Sequence, residues 1–239
     1  LCPAFASGKP LNPKKVIQDL KKHLLKVGPE LVKAKARGEP APSNPNVTLA
    51  GNVISEDEIW ACTTCRVCDE ICPVWVDHID KIVDLRQNLV MEQSVVPEAA
   101  EGALRSIESR GHPWRGTTLT RTDWTKGLDI KTVAEDSNID ILFWVGCTPA
   151  LEERSARIAQ SLAKVMKQAG INFAVLGPDE SCCGDPARRL GNEYLFQMQA
   201  QQNIEVLKRY NVKKIVAACP HCYNTLKNEY PQCGGEYEV

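Results

Sequence analysis

Aromatic residues are scarce in this chain, at 6%, and no basic stretch is interleaved with rings that could stack on bases. Net charge is nearly absent as well: 29 basic residues stand against 30 acidic ones, leaving −1. Nothing in that balance points to nucleic acid or an anionic membrane as the partner. Long apolar runs are also missing. The longest charge-free apolar stretch, Ile141 to Leu151, contains a glycine, a cysteine and a proline. It falls well short of the roughly 18 residues needed to span a bilayer, so the chain by itself is expected to be soluble. The remaining composition is ordinary globular, 43% hydrophobic and 25% charged. A length of 239 residues suffices for one or two cored domains.

Cysteine breaks the pattern, with eleven in the chain. A secreted disulfide framework would serve a small domain without a core and would pair an even number. Here the number is odd and a core is within reach, so a reducing cytoplasm is the expected compartment. Nine of the cysteines fall into two groups. The first is Cys62, Cys65, Cys68 and Cys72, followed by Pro73. The second is Cys147, then Cys182-Cys183-Gly184, then Cys219-Pro220-His221-Cys222.

The first group has the C-x2-C-x2-C-x3-C-P spacing of a bacterial-type 4Fe–4S ferredoxin site. Short spacers let three thiolates wrap one cluster, while the fourth cysteine serves the other cluster of a two-cluster ferredoxin. Cys-Pro ends such a run, and the chain opens Leu1-Cys2-Pro3-Ala4-Phe5 without a methionine. Cys2 is therefore expected to complete the cluster of Cys62, Cys65 and Cys68. Cys72 would belong to a cluster whose other ligands lie upstream, and the chain reads as a middle piece of a longer protein. Zinc ribbons use two well-separated ligand pairs, which this run does not resemble.

Helical spacing of Val16, Ile17, Leu20, Leu24, Leu25 and Val27 predicts a helix over residues 14–27, ended by Gly28-Pro29, with its lysines on a solvated face. A Pro-rich loop is expected over 38–45, and a short helix capped by Ser55 with Glu58 delivers Cys62. Further helices are expected over 79–93 and 97–109. From Asn138 the texture becomes alternating. Strands are expected over 139–145, 171–176 and 214–218. Helices should follow each: the first capped by Thr148 and presenting Ile158, Leu162, Val165, Met166 and Ala169, a second over 192–210, and a third after Cys219. The expected organisation is an α-helical ferredoxin-like domain over 1–110, a linker over 111–137, and an α/β domain with a parallel sheet over 138–239.

In such a sheet the five cysteines of the second group fall near the carboxyl ends of strands and near helix starts, where ligands bind and thiol pKa values drop. Adjacent Cys182 and Cys183 do not readily pair with each other. Coordination of a cluster is the expectation, with zinc held by four of the five as an alternative.

This order of cysteines resembles the cysteine-rich CCG domain. That family includes the B and D subunits of heterodisulfide reductase, the C subunit of anaerobic glycerol-3-phosphate dehydrogenase, glycolate oxidase iron–sulfur subunits, and iron–sulfur oxidoreductases serving electron-transfer flavoproteins. Cys2-Pro3-Ala4-Phe5 and Gly111-His112-Pro113-Trp114 also look like this group. The resemblance implies that Cys147, Cys182, Cys183, Cys219 and Cys222 hold a second 4Fe–4S cluster, non-cubane in the B subunit, where such clusters cleave a disulfide. It implies a first of two repeats in the parent, although only one is present here. It also implies an electron-transfer subunit between a flavoprotein dehydrogenase or electron-transfer flavoprotein and a quinone or other carrier. The cytoplasmic face of a membrane, reached through the parent or a quinone-reducing partner, is compatible with that role. A CCG-dependent disulfide reductase and a zinc-stabilised assembly module are the rival readings.

Other residues promise less. His221 is expected at the surface or hydrogen-bonded to a cluster sulfur, and His23, His78 and His112 show no partner in sequence. Cys233 reads as a bystander, and Trp60 and Trp75 as packing around the quartet. Asp185, Arg188 and Arg189 read equally well as a cap and a solvated face.

Overall fold

The computed structural model describes residues 2–40 and 48–239. Most of the expected Pro-rich loop, 41–45, lies outside them. The chain forms two compact units, Leu1–Val95 with Arg189–Gly191, and Val96–Arg188 with Asn192–Val239.

The first unit is helical: α1 (Pro3–Ala6), α2 (Pro13–Ala36), α3 (Glu56–Trp60), α4 (Val67–Glu70) and α5 (Ile79–Gln87), the last continued by a wider turn over Asn88–Glu92. Leu11, Val16, Ile54, Ile59, Ile82 and Leu89 form its core. The Ser55–Glu58 capping box is present in both directions, so α3 starts where its sequence says. α2 does not stop at Gly28-Pro29. Pro29 deprives only the Leu25 carbonyl of a partner, on an exposed turn where water can serve it. The helix formers from Glu30 to Ala36 then carry it onward.

The second unit opens with α6 (Glu98–Arg110) and continues as β1 (Ile141–Trp144), α7 (Cys147–Leu151), α8 (Glu153–Gln168), β2 (Phe173–Ala174), α9 (Asp185–Arg189), α10 (Glu193–Arg209), β3 (Ile215–Ala217) and α11 (Pro220–Asn224). The sheet order is β2-β1-β3, all parallel, with Leu142 opposite both Ala174 and Ile215. Central β1 is covered on both faces, so Leu142, Phe143 and Trp144 are all buried, as a parallel strand requires.

Three expectations need correction. Residues 98–137 are neither part of the helical unit nor a free linker. Trp124 packs edge-on against Phe143, 5.9 Å between ring centroids, and Thr132 bridges Val175 in parallel. α8 is capped by Glu152, whose carboxylate accepts from the N–H groups of Arg154 and Ser155, because Thr148 is already inside α7. Its core face is Ala159, Ala163 and Met166; Ile158 and Val165 face solvent. Small residues allow α8 close to the sheet and displace the larger aliphatics outward.

Candidate functional site

Three loops bring the five cysteines of the second unit together. β1 runs into Gly146, whose φ of 84° favours glycine, and Cys147 opens α7. A Cβ on Gly146 would stand 3.2 Å from the Cys222 sulfur, so the first loop lies against the third. β3 leads to Cys219 at the N-cap of α11, which places Cys222 in its first turn. Cys182 and Cys183 precede α9, and Gly184 (φ 91°) leaves no room for a Cβ beside Phe196. The thiols are close enough to influence one another in series: Cys147 with Cys182, Cys182 with Cys183, Cys183 with Cys222, and Cys222 with Cys219. Cys182, Cys183 and Cys222 are at most 3% exposed, and no cysteine is in a disulfide.

Crowding and burial act on their protons. Contact with Cys182, then burial, drives the Cys147 thiol well up. Cys182, Cys183 and Cys222 each gain a lowering contact from one neighbouring thiol, outweighed by a second thiol and by burial, so all three also rise. Cys219 alone falls, to about 6, chiefly through its contact with Cys222 and then through the backbone N–H groups of Cys222 and His221. Five unpaired thiols that cannot all ionise in a dry pocket call for a cationic, thiophilic group that takes them as thiolates. The donor set fits an iron–sulfur group.

Residues that sequence reasoning passed over hold these loops. Glu180, buried, accepts from the N–H groups of Val145 (3.0 Å) and Gly146 (2.8 Å), directly before Cys147. Arg121 donates to Glu180 at 3.1 Å and to the Gly111 carbonyl at 3.0 Å. That same carbonyl accepts from Cys182 N at 2.8 Å. Burial raises the Glu180 carboxyl, with Arg121 and the two N–H groups pulling against it. Asn203 donates to the Cys182 carbonyl (2.8 Å), and the buried Tyr230 hydroxyl donates to the Cys183 carbonyl (3.1 Å). Glu180 stands two residues before the double cysteine, a signal that could have found it. Asn203 and Tyr230 carry no local signal.

In the first unit, Cys62 lies within electrostatic range of Cys2 and Cys65, and Cys68 within range of Cys62. Cys2, Cys68 and Cys72 line one cleft of about 610 Å³ with Phe5, Ile71 and Val74. Backbone N–H groups donate to two of the sulfurs, Thr64 to Cys62 (3.4 Å) and Val76 to Cys72 (3.3 Å). Thr64 and Arg66 take φ of 54° and 59°, so this short loop is held in backbone geometry that residues with a Cβ rarely adopt. Burial raises the Cys62 thiol; burial, then Asp69, pushes Cys68 up to about 12. Buried Arg86 donates to the Cys62 carbonyl (2.6 Å) and the Ile59 carbonyl (2.9 Å), with its guanidinium over the Trp60 ring.

The minor residues sort differently from their sequence reading. His78 is half-buried and pairs with Asp69, which also accepts from the Cys68 thiol at 3.5 Å. His112 is buried with Nδ1 unpartnered, and burial, then Arg110 and Arg121, lowers its pKa. His221 is exposed, 2.9 Å from the buried Asp185 carboxylate. Asp185 is thus not a surface cap, and Arg188 is tied to Glu193, Glu229 and the Phe196 ring. Cys233 interacts with Arg188 and two acids, not with a thiol. Trp75 is 83% exposed and shields nothing.

Residues 141–227 match the family profile of the cysteine-rich domain, CCG. Over its whole length the chain is 42% identical to the EtfAB:quinone oxidoreductase of Syntrophomonas wolfei subsp. wolfei, covering 36% of that protein. It is likewise 40% identical to the "Probable iron-sulfur-binding oxidoreductase FadF" of Bacillus subtilis, covering 38%. Over 76% of its length it is 28% identical to the D subunit of the dihydromethanophenazine:CoB–CoM heterodisulfide reductase of Methanosarcina barkeri, covering 44%. The chain therefore spans less than half the length of these curated relatives. No solved structure matches it significantly.

Proposed function

We propose that this chain, which matches the cysteine-rich CCG domain over residues 141–227 and is similar along its whole length to iron–sulfur oxidoreductases, is the electron-transfer part of such an enzyme. The observation that carries the reading is the gathering of five buried or half-buried thiols, each influenced by its neighbours, where three loops meet at the carboxyl end of the sheet. In this reading Cys147, Cys182, Cys183, Cys219 and Cys222 hold one 4Fe–4S cluster. Cys2, Cys62, Cys65 and Cys68 hold a ferredoxin-type 4Fe–4S cluster, and Cys72 serves a further one. Proximity of Cys62 to both Cys2 and Cys65 supports that assignment. Such a cluster, when bound, supplies reversible one-electron transfer.

The chain's own residues do the rest. Glu180 and Arg121 fix the first two cysteine loops, Asn203 and Tyr230 occupy the carbonyls of the double cysteine, and burial of Cys182, Cys183 and Cys222 keeps water from the sulfurs. Arg86 sets a positive charge and two hydrogen bonds beside the quartet loop. The donor in this reading is a flavoprotein, an electron-transfer flavoprotein being the leading choice, and the acceptor is a quinone or another carrier. Kinship with a heterodisulfide reductase component favours disulfide reduction as the second reading.

Anaerobic reconstitution tests the proposal. About eight iron and eight acid-labile sulfide per chain are expected for two 4Fe–4S sites. Zinc without sulfide would overturn it in favour of an assembly module. Turnover of a disulfide by the reduced chain alone would favour the second reading.

A further inference from the structure

The near-zero net charge of the chain conceals a local asymmetry on α2. This helix holds seven lysines against two acids, Asp19 and Glu30. Its first half is anchored in the core through Val16 and Leu20. In its second half Ala34 is buried and every other residue is half-buried or exposed. Leu24, Leu25, Leu31 and Val32, at i, i+1, i+7 and i+8, share one face and are 61%, 67%, 36% and 69% exposed. Lys21 and Lys35 stand on that same face at its two ends, while Lys22, Lys26 and Lys33 lie on the opposite side of the helix. Among the described residues Lys21, Lys26 and Lys35 have no ion-pair partner; Lys22 and Lys33 pair with Asp19 and Glu30.

We propose that the exposed face of α2, from Leu24 to Val32, docks on an anionic lipid bilayer, lying in the plane of the headgroups with its aliphatic side chains inward and the flanking Lys21 and Lys35 on phosphate. Charge and composition select this occupant. A second copy would bring lysine against lysine with one acid, Glu30, in the segment to offset them. Protein interfaces draw on aromatic and arginine side chains and are depleted in lysine, the reverse of this face. Aliphatic residues beside lysines on a helix too polar to insert across the bilayer are what an interfacial helix requires. Among the described residues no helix is long and apolar enough to cross a membrane, so the contact proposed is a surface one. It stands independently of the cofactor reading.

Flotation of the reconstituted chain with vesicles tests it. Binding is expected to vesicles of phosphatidylcholine with one quarter phosphatidylglycerol, to weaken in high salt, and to be much lower on phosphatidylcholine alone. Leu25→Ser with Val32→Ser alters exposed side chains, so circular dichroism should be unchanged while the bound fraction falls at least about tenfold. Lys35→Ala should cost about fivefold. Equal binding with and without phosphatidylglycerol, no binding to either, or full binding by the folded double serine variant would each overturn the proposal. Concentration-dependent dimerisation abolished by the double variant, without vesicle binding, would assign the face to a second copy instead.

Discussion

The two sulfur groups reach similar ends by opposite means. In the helical unit three of the cysteines sit within seven residues of one another on a short loop, and backbone dihedrals at Thr64 and Arg66 shape that loop. In the α/β unit the five cysteines come from loops dozens of residues apart, and the parallel sheet with a buried Glu180–Arg121 pair brings them together. The first arrangement is local and carries its geometry in its spacing. The second is long-range, so it depends on side chains outside the cysteine group, Glu180 and Arg121 among them. Damage should therefore spread differently: at the local site through the loop, at the long-range site through its supports.

The sharpest way to break that contrast is Cys183→Ser. Electron paramagnetic resonance of the reduced variant should lose or rearrange the signal of the α/β site and keep the ferredoxin-type signal. Loss of both would mean that the two units share a cofactor or fold together, and an unchanged spectrum would remove Cys183 from the ligand set. Next in size is Glu180→Gln, which strands Arg121 in a buried position. Urea unfolding of the variant should show a loss of about 3–5 kcal/mol, as for other broken buried pairs. A loss as small as that of a surface substitution would mean that the loops hold themselves.

Tyr230→Phe is a milder form of the same test. It leaves the Cys183 carbonyl without its donor in a dry environment, and about 1–2 kcal/mol should be lost, measurable by the same unfolding experiment. The smallest effect belongs to the local site. Ser55→Ala removes the cap that starts α3 and should cost about 1 kcal/mol. Burial pushes the partner carboxyl Glu58 upward, but hydrogen bonds from Lys15 and Ser55 hold it below its ordinary 4.5. A depressed folded value means that its contribution is complete above the ordinary value and disappears as pH falls through the folded one. The difference between parent and Ser55→Ala should accordingly shrink in acid; a difference that stays constant from about pH 7 to about pH 3 would show that Glu58 takes no part.

What is legible in the sequence follows the same line. The Ser55–Glu58 capping box, the quartet, the three parallel strands and the convergence of five cysteines all rest on short-range patterns or on the one rule that parallel strands end on a common side. The misreadings have physical causes. Pro29 reads as a stop because the exposure of Leu25 cannot be seen in sequence. Ile158 and Val165 read as core because hydrophobicity outranks size in a periodic pattern, whereas Ala159 and Ala163 take that place by letting the helix approach. Residues 111–137 read as a linker because Trp124 and Thr132 find their partners, Phe143 and Val175, well downstream. Asn203 and Tyr230 act on the backbone carbonyls of Cys182 and Cys183, 21 and 47 residues away, and no local window of sequence contains both ends.

The Glu180 carboxylate joins the Cys182 loop to the amides ahead of Cys147 without using the chain between them. The core face of α8 and β2 hold the sheet, but the solvent face of α8, with Ile158 and Val165, has no part in setting the distance between those two sulfurs. That outer face can change while the site keeps its shape. In evolutionary terms the clamp uncouples the chemistry from the surface, so a lineage can acquire new partners on α8 without redesigning the centre they serve.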